Sequence, residues 1–565
     1  MNLFAASTIV LPRIAYSAIL PELILMGSAV VLLGISALAG RRVPLGLYTG
    51  GAVAAGAASL GASLYLWSQV TPKGAATAID GAVAVDGFSV LVLVLVSCIV
   101  ILSALIGDGY LRREGIEGAE YYVLALLSAS GAMLMGVADD LILVFLGLEI
   151  MSIALYVLAG MDARRSGSRE AALKYFVLGA FSSAIFLYGI ALTYGATGST
   201  NLAQIADFLS HNVVISNGVL LAGLVLLLVG FSFKIAAVPF HMWTPDVYQG
   251  SPTPVTGFMG AIAKIGGFAA LLRVYFSSFG VLEADWRPII WTLAVLTLLG
   301  GAVLALVQRD VKRMLAYSSI NHAGFILVGL QAATRRGIAG SLYYLFVYAF
   351  LVVGTFAIVT VIGRRGDRCH DLSNYRGLGA RQPVLALMLG ILLLAQAGAP
   401  FTTGFWAKLE VVAAAAAAHS YVLAVVAMIS AAIAAFFYLR LVVLMYAGSL
   451  AGLANAPQVA LVETATYGPG AEASALVGSS LAGGGSAEVR PASSRLEAGS
   501  SQEAPDPDSE ETRAGVCDQG EPVDQRIPVP AAIAVAVSLV VAFTVVFGIY
   551  PGPLVDFARH ATLLF

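Results

Sequence analysis

Four of the six lysines in this chain, Lys174, Lys234, Lys264 and Lys408, fall inside long apolar stretches. An ammonium group is costly there and marks ion paths, proton relays or counter-ions. The remaining positive charge is arginine apart from Lys73 and Lys312 and gathers mainly in short polar segments, so these lysines form a population of their own. Glu149, within "LVFLGLEIMSIALYVLAG", is a carboxylate in the same kind of setting. Desolvation favours the neutral form of an acid or a base, and an opposite charge nearby favours the charged form. Acids and bases balanced between those two effects exchange protons, so the chemistry implied is proton transfer.

The individual residues differ in how strongly they argue. Glu149 lies about 8 residues, roughly 12 Å, into its apolar run and so near the middle of a bilayer. Lys264, between Ile262, Ala263, Ile265 and Gly266, is about ten residues into its own run with no carboxylate beside it. Lys234 and Lys408 each stand close to a proline-marked interruption. Lys174 follows Glu170 by four residues, the favourable order for a surface ion pair on a helix, so an interfacial snorkelling lysine is an equal reading. His241 and His322 are candidates for relay or for a hydrogen bond between membrane helices. His211, His370, His419 and His560 fall at loops or ends and read as solvated. Asp246, Asp310 and Asp371 fall in turns, and Asp246 after Pro245 reads as a turn stabiliser. Arg273 and Arg440, near the ends of apolar runs, read as snorkelling or interhelical contacts.

The elements that must position these groups follow from composition. The 565 residues are 59% hydrophobic and only 11% charged, against about 25% charged in soluble domains. This is an all-α polytopic membrane protein, because a spanning helix needs roughly 20 apolar residues. Apolar runs predict about fourteen spans: 20–39, 46–67, 86–106, 120–138, 141–160, 171–194, 217–240, 254–276, 288–307, 314–332, 337–362, 383–418, 420–447 and 528–549. The first run is too long for a secretory signal and lacks a cleavage site. Fifteen basic residues fall in the odd-numbered loops, at 41–42, 112–113, 164–169, 309–313 and 364–381, against six (Arg13, Lys73, Arg287, Arg335, Arg336, Arg559) in the even loops and termini. The positive-inside rule then puts both termini outside.

Two runs are too long for one crossing and carry a breaker. Residues 383–418 would extend roughly 54 Å as one helix, and "AGAPFTTG" interrupts them at Pro400, which lacks an amide donor. The stretch 217–249 continues past Lys234 and Pro239 through "FHMWTPDVY". Irregular backbone at membrane depth survives only where protein or a wet cavity satisfies it, and paired broken helices point to an inverted-repeat transporter.

The segment 448–527 is rich in Gly, Ala, Ser, Pro and Glu and reads as a disordered loop, cytoplasmic by the loop count. Twelve acidic residues against four arginines give it a net charge of −8, leaving the rest of the chain at +6. It reads as a tolerated insertion or, less simply, as a docking site for a partner. Cys98, Cys369 and Cys517 show no metal-ligand spacing, and no nucleotide-binding glycine motif is present. Any redox chemistry is expected elsewhere.

Three strings, "FSFKIAAVPFHMWTPDVYQGSPTPVTGFMGAIAKIGGF" (231–268), "RDVKRMLAYSSINHAGF" (309–325) and "AGAPFTTGFWAKLEVV" (397–412), resemble the antiporter-like membrane subunits of respiratory complex I, the bacterial NADH–quinone oxidoreductase. "TPDVYQGSP" favours the N branch over its paralogues L and M. The resemblance covers nearly the whole chain except 448–527. It implies fourteen helices, with spans 4–8 and 9–13 as inverted five-helix repeats and helices 7 and 12 broken. The corresponding divisions are 1–119, 120–276, 277–447, the loop 448–527 and a last helix in 528–565. It implies proton translocation along Glu149, Lys174, Lys234, Lys264 and Lys408, with His241 and His322 as secondary members and Lys174 paired to Glu149. It also implies no cofactor in this chain, with NADH, FMN, iron–sulfur clusters and quinone in the complex. The implied partners are subunits M, K and J, in a bacterial inner membrane, with no nucleic acid. Two alternatives stay open: a subunit of a sodium/proton antiporter or ferredoxin-linked dehydrogenase, and a non-conducting scaffold of the complex.

Overall fold

The computed structural model describes residues 15–39, 43–212, 217–447 and 527–561. Residues 448–526 of the acidic segment expected as a loop, and Arg13, Arg41 and Arg42, lie outside the described residues.

The chain is a bundle of helices. The first part holds α1 (Leu20–Ala39), α2 (Leu45–Lys73), α3 (Gly87–Glu114), α4 (Glu120–Val137) and α5 (Leu141–Ala159). Then come α6 (Ser166–Thr197), the short amphipathic α7 (Leu202–His211), α8 (Asn217–Lys234), α9 (Trp243–Gly250) and α10 (Thr253–Ser277). The rest comprises α11 (Glu283–Leu306), α12 (Val311–Gln331), α13 (Arg335–Ile362), the single turn α14 (Leu378–Arg381), α15 (Pro383–Ala397), α16 (Thr403–Ala417), α17 (Tyr421–Tyr446), α18 (Ala531–Ile549) and α19 (Gly552–His560). A small antiparallel hairpin, β1 (Ala76–Ala78) and β2 (Val83–Val85), was not foreseen in the sequence.

Eleven helices among the described residues are long and apolar enough to cross a membrane. Three expected spans fall short for a physical reason. Both 217–240 and 383–418 are divided, and α12 carries Lys312, Arg313, Asn321 and His322, too polar a set for a span read from composition. α10 and α13 are buried along nearly their whole length and form the centre of the bundle.

Helices approach closely where glycine removes the Cβ. A side chain at Gly131 would meet the Met151 backbone nitrogen at 2.4 Å, and one at Gly301 would meet that of Asn321 at 2.5 Å. Such small-residue contacts substitute for the hydrophobic drive that lipid cannot supply. They join α4 to α5 and α11 to α12.

Two charged clusters tie the helix ends together. Arg273 on α10 is fully buried and bidentate to Asp86 at 2.9 and 3.0 Å, with further bonds to the Gly136 carbonyl and Ser89. Of the two sequence readings for Arg273, interhelical contact is the one seen. At the other end of the bundle, Asp367 accepts from Arg165 (3.0 Å), Thr253 Oγ1 (2.6 Å) and His370 (2.9 Å), with Lys312 at 3.5 Å. Burial alone would raise this carboxyl, but Lys312, His370 and Arg165 hold it well below the usual carboxylate range. His370 is therefore buried against Asp367 rather than solvated, because the turn at 363–370 folds back onto the helix ends. Asp310 and Asp371 cap the segments that follow them, as turn residues do.

Candidate functional site

Both interruptions fall where the prolines place them. α8 stops at Lys234 and α9 starts at Trp243. The freed backbone groups between them are taken up by side chains. Val238 N donates to Thr297 Oγ1 (3.0 Å), the Trp243 indole donates to the Phe233 carbonyl (3.0 Å), and Lys264 Nζ donates to the Ile235 carbonyl (3.1 Å). In the second interruption α15 stops at Ala397, Gly398 takes φ +91°, and Lys408 Nζ donates to the Ala397 carbonyl at 2.7 Å. Each break thus presents a loose carbonyl to a lysine later in the chain, on α10 at the first break and on α16 at the second. At the first break that lysine is Lys264, which the sequence did not connect with the break.

Lys234 is 3% exposed. Its ammonium donates to Ser152 Oγ (2.7 Å) and Tyr175 OH (3.4 Å) and lies over the rings of Tyr156 and Tyr175 at 5.8 and 5.4 Å. Tyr175 is held in place by stacking on Trp243 (centroids 4.5 Å) and by an edge-to-face contact with Tyr156 (4.7 Å). Glu149, on α5 one turn before Ser152, is close enough to act on Lys234 through its field. Its Oε1 is buried without a hydrogen-bond partner among the described residues.

Lys264 makes a second bond, to the Ser319 carbonyl at 2.8 Å, and faces the Tyr348 ring at 5.7 Å. Ser319 Oγ bonds Tyr348 OH (2.8 Å) and Tyr248 OH (3.2 Å). One turn along α12, His322 bonds Tyr344 OH through Nδ1 (2.7 Å) and Tyr438 OH through Nε2 (3.0 Å). Tyr438 in turn donates to Gln396 Oε1 at 3.2 Å and is bonded by Ser318. With that donation made, Tyr438 must accept from the Nε2 proton, which leaves Nδ1 to accept from Tyr344. Gln396 adjoins Ala397, the carbonyl held by Lys408. A line of buried polar groups therefore runs from Lys264 to Ser319, His322, Tyr438, Gln396 and Lys408.

Lys174 and His241 stand apart from this line. Lys174 is half-exposed and pairs with Glu170 (2.7 Å) and Asp246 (2.9 Å), not with Glu149 as the resemblance implied. Successive residues turn about 100° around a helix. Tyr175 takes the inward position beside Lys234, so Lys174 is turned to the rim. Asp246 also bonds Arg313 at 2.7 Å, so it links α6 to α12 rather than only fastening its own turn. His241 lies in the unwound stretch, with Nδ1 buried and unpartnered among the described residues.

Ser152, Tyr175, Ser319, Tyr438 and Gln396 were not singled out in the sequence. Their available signal is modest: hydroxyl and amide side chains on inward faces of membrane helices, which bond across helices. No group of three or more His, Cys, Asp or Glu among the described residues could hold a metal.

Residues 138–434 match the family described as "NADH:quinone oxidoreductase/Mrp antiporter, TM". The NADH-quinone oxidoreductase subunit N of Parafrankia sp. is 43% identical over 451 residues, 75% of this chain and 84% of that protein. The subunit of the same name from Trichlorobacter lovleyi is 46% identical over 344 residues, 61% of this chain and 71% of that protein. Among solved structures, a chain of respiratory complex I from Thermus thermophilus superposes with a TM-score of 0.69 at 29% identity, covering 95% of this chain and 98% of that one. A chain of the Mrp complex from Dietzia sp., at 20% identity and TM-score 0.74, covers 96% of each and shares the fold.

Proposed function

This chain belongs to the NADH:quinone oxidoreductase/Mrp antiporter family of membrane subunits, and we propose that its buried lysines carry protons through it. It is an N-type, multi-pass membrane subunit of NADH–quinone oxidoreductase, which translocates protons and forms no bond to substrate. Its partners are other subunits of that complex, and M, K and J are the ones we assign as neighbours. NADH, FMN, iron–sulfur clusters and quinone would be held by those other subunits.

The observation that carries the reading is the pairing of each helix break with a buried lysine, joined by the hydroxyl, imidazole and amide line between them. A neutral lysine amine keeps two N–H bonds and gains a lone pair. Lys264 can thus lose a proton and still hold both the Ile235 and Ser319 carbonyls. His322, with one nitrogen accepting and the other donating, can take a proton on one side and give one up on the other. Glu149 lies at the far end, beside Lys234, where a change in its charge is felt first. At an effective dielectric near 20, a unit charge about 8 Å away contributes about 2 kcal/mol, more than a tenfold change in proton affinity. A perturbation from redox chemistry elsewhere can pass along Glu149, Lys234, Lys264 and Lys408 in this way. Lys174, through Asp246 and Arg313, and His241, in the unwound stretch, would serve the entrance and the access side. The glycine-mediated pairs α4–α5 and α11–α12 support reading spans 4–8 and 9–13 as inverted repeats.

Lys408 tests whether a lysine must give up its proton or only supply a field. Arginine stays protonated at any relevant pH. Lys408→Arg is expected to assemble and to pump poorly, as vesicle acidification per NADH oxidised would show. Full pumping would recast Lys408 as a fixed charge.

We assign the chain to a bacterial inner membrane with both termini outside. Accordingly, a membrane-impermeant maleimide applied to intact cells should label Lys73→Cys and leave Arg112→Cys unlabelled until the cells are opened. The reverse pattern would invert the topology.

A further inference from the structure

Six basic residues are assigned by the loop count to the side of the membrane poor in positive charge, and three of them meet in one place. Arg335 and Arg336 at the start of α13 and Arg559 at the end of α19 line a concavity of about 500 Å³, with Ala339, Gly340, Tyr343 and Glu410. That volume is in the range of small-molecule sites. Glu410 supplies a single carboxylate against three guanidinium groups, and its approaches are long, 3.7 Å to Arg336 and 3.4 Å to Arg559. The Arg335 guanidinium has no ion pair or hydrogen bond among the described residues.

A second observation points into the same concavity. Tyr343 is 1% exposed, and its hydroxyl has no partner among the described residues. A buried donor left unsatisfied costs about 1–3 kcal/mol, so something should accept its hydrogen. Arg336, Ala339, Gly340 and Tyr343 recur at helical spacing on one face of α13, and the two small residues between the polar ones hollow out that face. Seven residues separate Arg336 from Tyr343, roughly 10 Å along the axis, which is more than one phosphate ion spans. The occupant needs an anionic group at the mouth and a second acceptor deeper in, toward the hydrocarbon.

We propose that this concavity binds the headgroup of an anionic glycerophospholipid, its phosphate on Arg335, Arg336 and Arg559 and an ester carbonyl on the Tyr343 hydroxyl. Inorganic phosphate offers the first feature only. A zwitterionic lipid offers both, but its cationic headgroup meets the surplus of guanidinium.

The test uses the purified whole complex in vesicles of phosphatidylcholine, containing a minor fraction of either phosphatidylglycerol or phosphatidylcholine with a photoreactive acyl chain. After illumination and digestion, the peptide containing residues 335–343 should carry several-fold more phosphatidylglycerol than phosphatidylcholine. Excess unlabelled phosphatidylglycerol should remove the label and inorganic phosphate should not. The double variant Arg335→Gln, Arg336→Gln should lose most of it. Tyr343→Phe keeps the ring and deletes an oxygen with no protein partner, so a purely structural role predicts no change, whereas this proposal predicts a several-fold loss. If the double variant does not assemble, Tyr343→Phe decides alone. Equal labelling by both lipids, equal competition by inorganic phosphate, or no label because another subunit covers the peptide would each overturn the proposal.

Discussion

Lys234→Ala, in a complex shown to be fully assembled, is expected to lower the number of protons pumped per NADH oxidised, while Arg440→Ala leaves it near normal. The substitution removes the ammonium that bonds Ser152 and Tyr175. Ser152 keeps its bond to the Leu148 carbonyl and Tyr175 keeps its stacking on Trp243, so the surrounding helices retain their fastenings. What goes is the basic group between Glu149 and the break. Positioned acid–base groups contribute roughly 10²–10⁴-fold to the proton transfers they serve, so flux through this subunit should all but cease. Arg440 is exposed and among the described residues reaches only the Leu306 carbonyl, at 3.2 Å, and changes at such surface sites usually stay within about 0.5 kcal/mol. The readout is the proton-to-electron ratio in sealed vesicles, with assembly verified on native gels. An assembled Lys234→Ala complex with the normal ratio would remove that lysine from the path.

Arg273→Leu is expected to cost the fold more than any other single change considered. Both side chains of the Arg273–Asp86 pair are fully buried. Deleting one partner of such a pair costs about 3–5 kcal/mol, because the other charge is left uncompensated. The same deletion strands the Gly136 carbonyl, which Arg273 also bonds, while Ser89 keeps its bond to the Ala84 carbonyl. The assembled complex should therefore fall in amount and lose activity at a lower temperature. Asp86→Ala combined with Arg273→Leu should recover part of that loss, since contacting residues are not additive. Wild-type thermal stability for Arg273→Leu alone would show that the pair is not a principal support of α3 against α10.

Membrane class, most of the spans and both helix breaks were legible along the chain because each rests on a local property. Apolar length sets a crossing, and a proline that can neither donate nor fit ends one. A lysine or glutamate in such a run is conspicuous for the same reason: its cost does not depend on what it later touches. Glu149, Lys234, Lys264 and Lys408 thus stood out as charges in apolar runs, and the resemblance added the family.

Partners are set by rotation and packing instead. Whether residue 174 or 175 faces the interior depends on where α6 meets α8 and α9, and a turn of about 100° decides it, sending Tyr175 inward and Lys174 to Asp246. Lys264 meets the Ile235 carbonyl 29 positions away only because α10 packs across the break. Tyr438, Gln396 and Ser319 carry ordinary side chains whose significance lies in the groups they reach. His370 looked like a loop residue until the turn after α13 folded it against Asp367. Burial cost belongs to a residue and its neighbours in sequence, whereas a hydrogen bond needs two groups at about 3 Å with the right angle, and that distance exists only once the helices have packed.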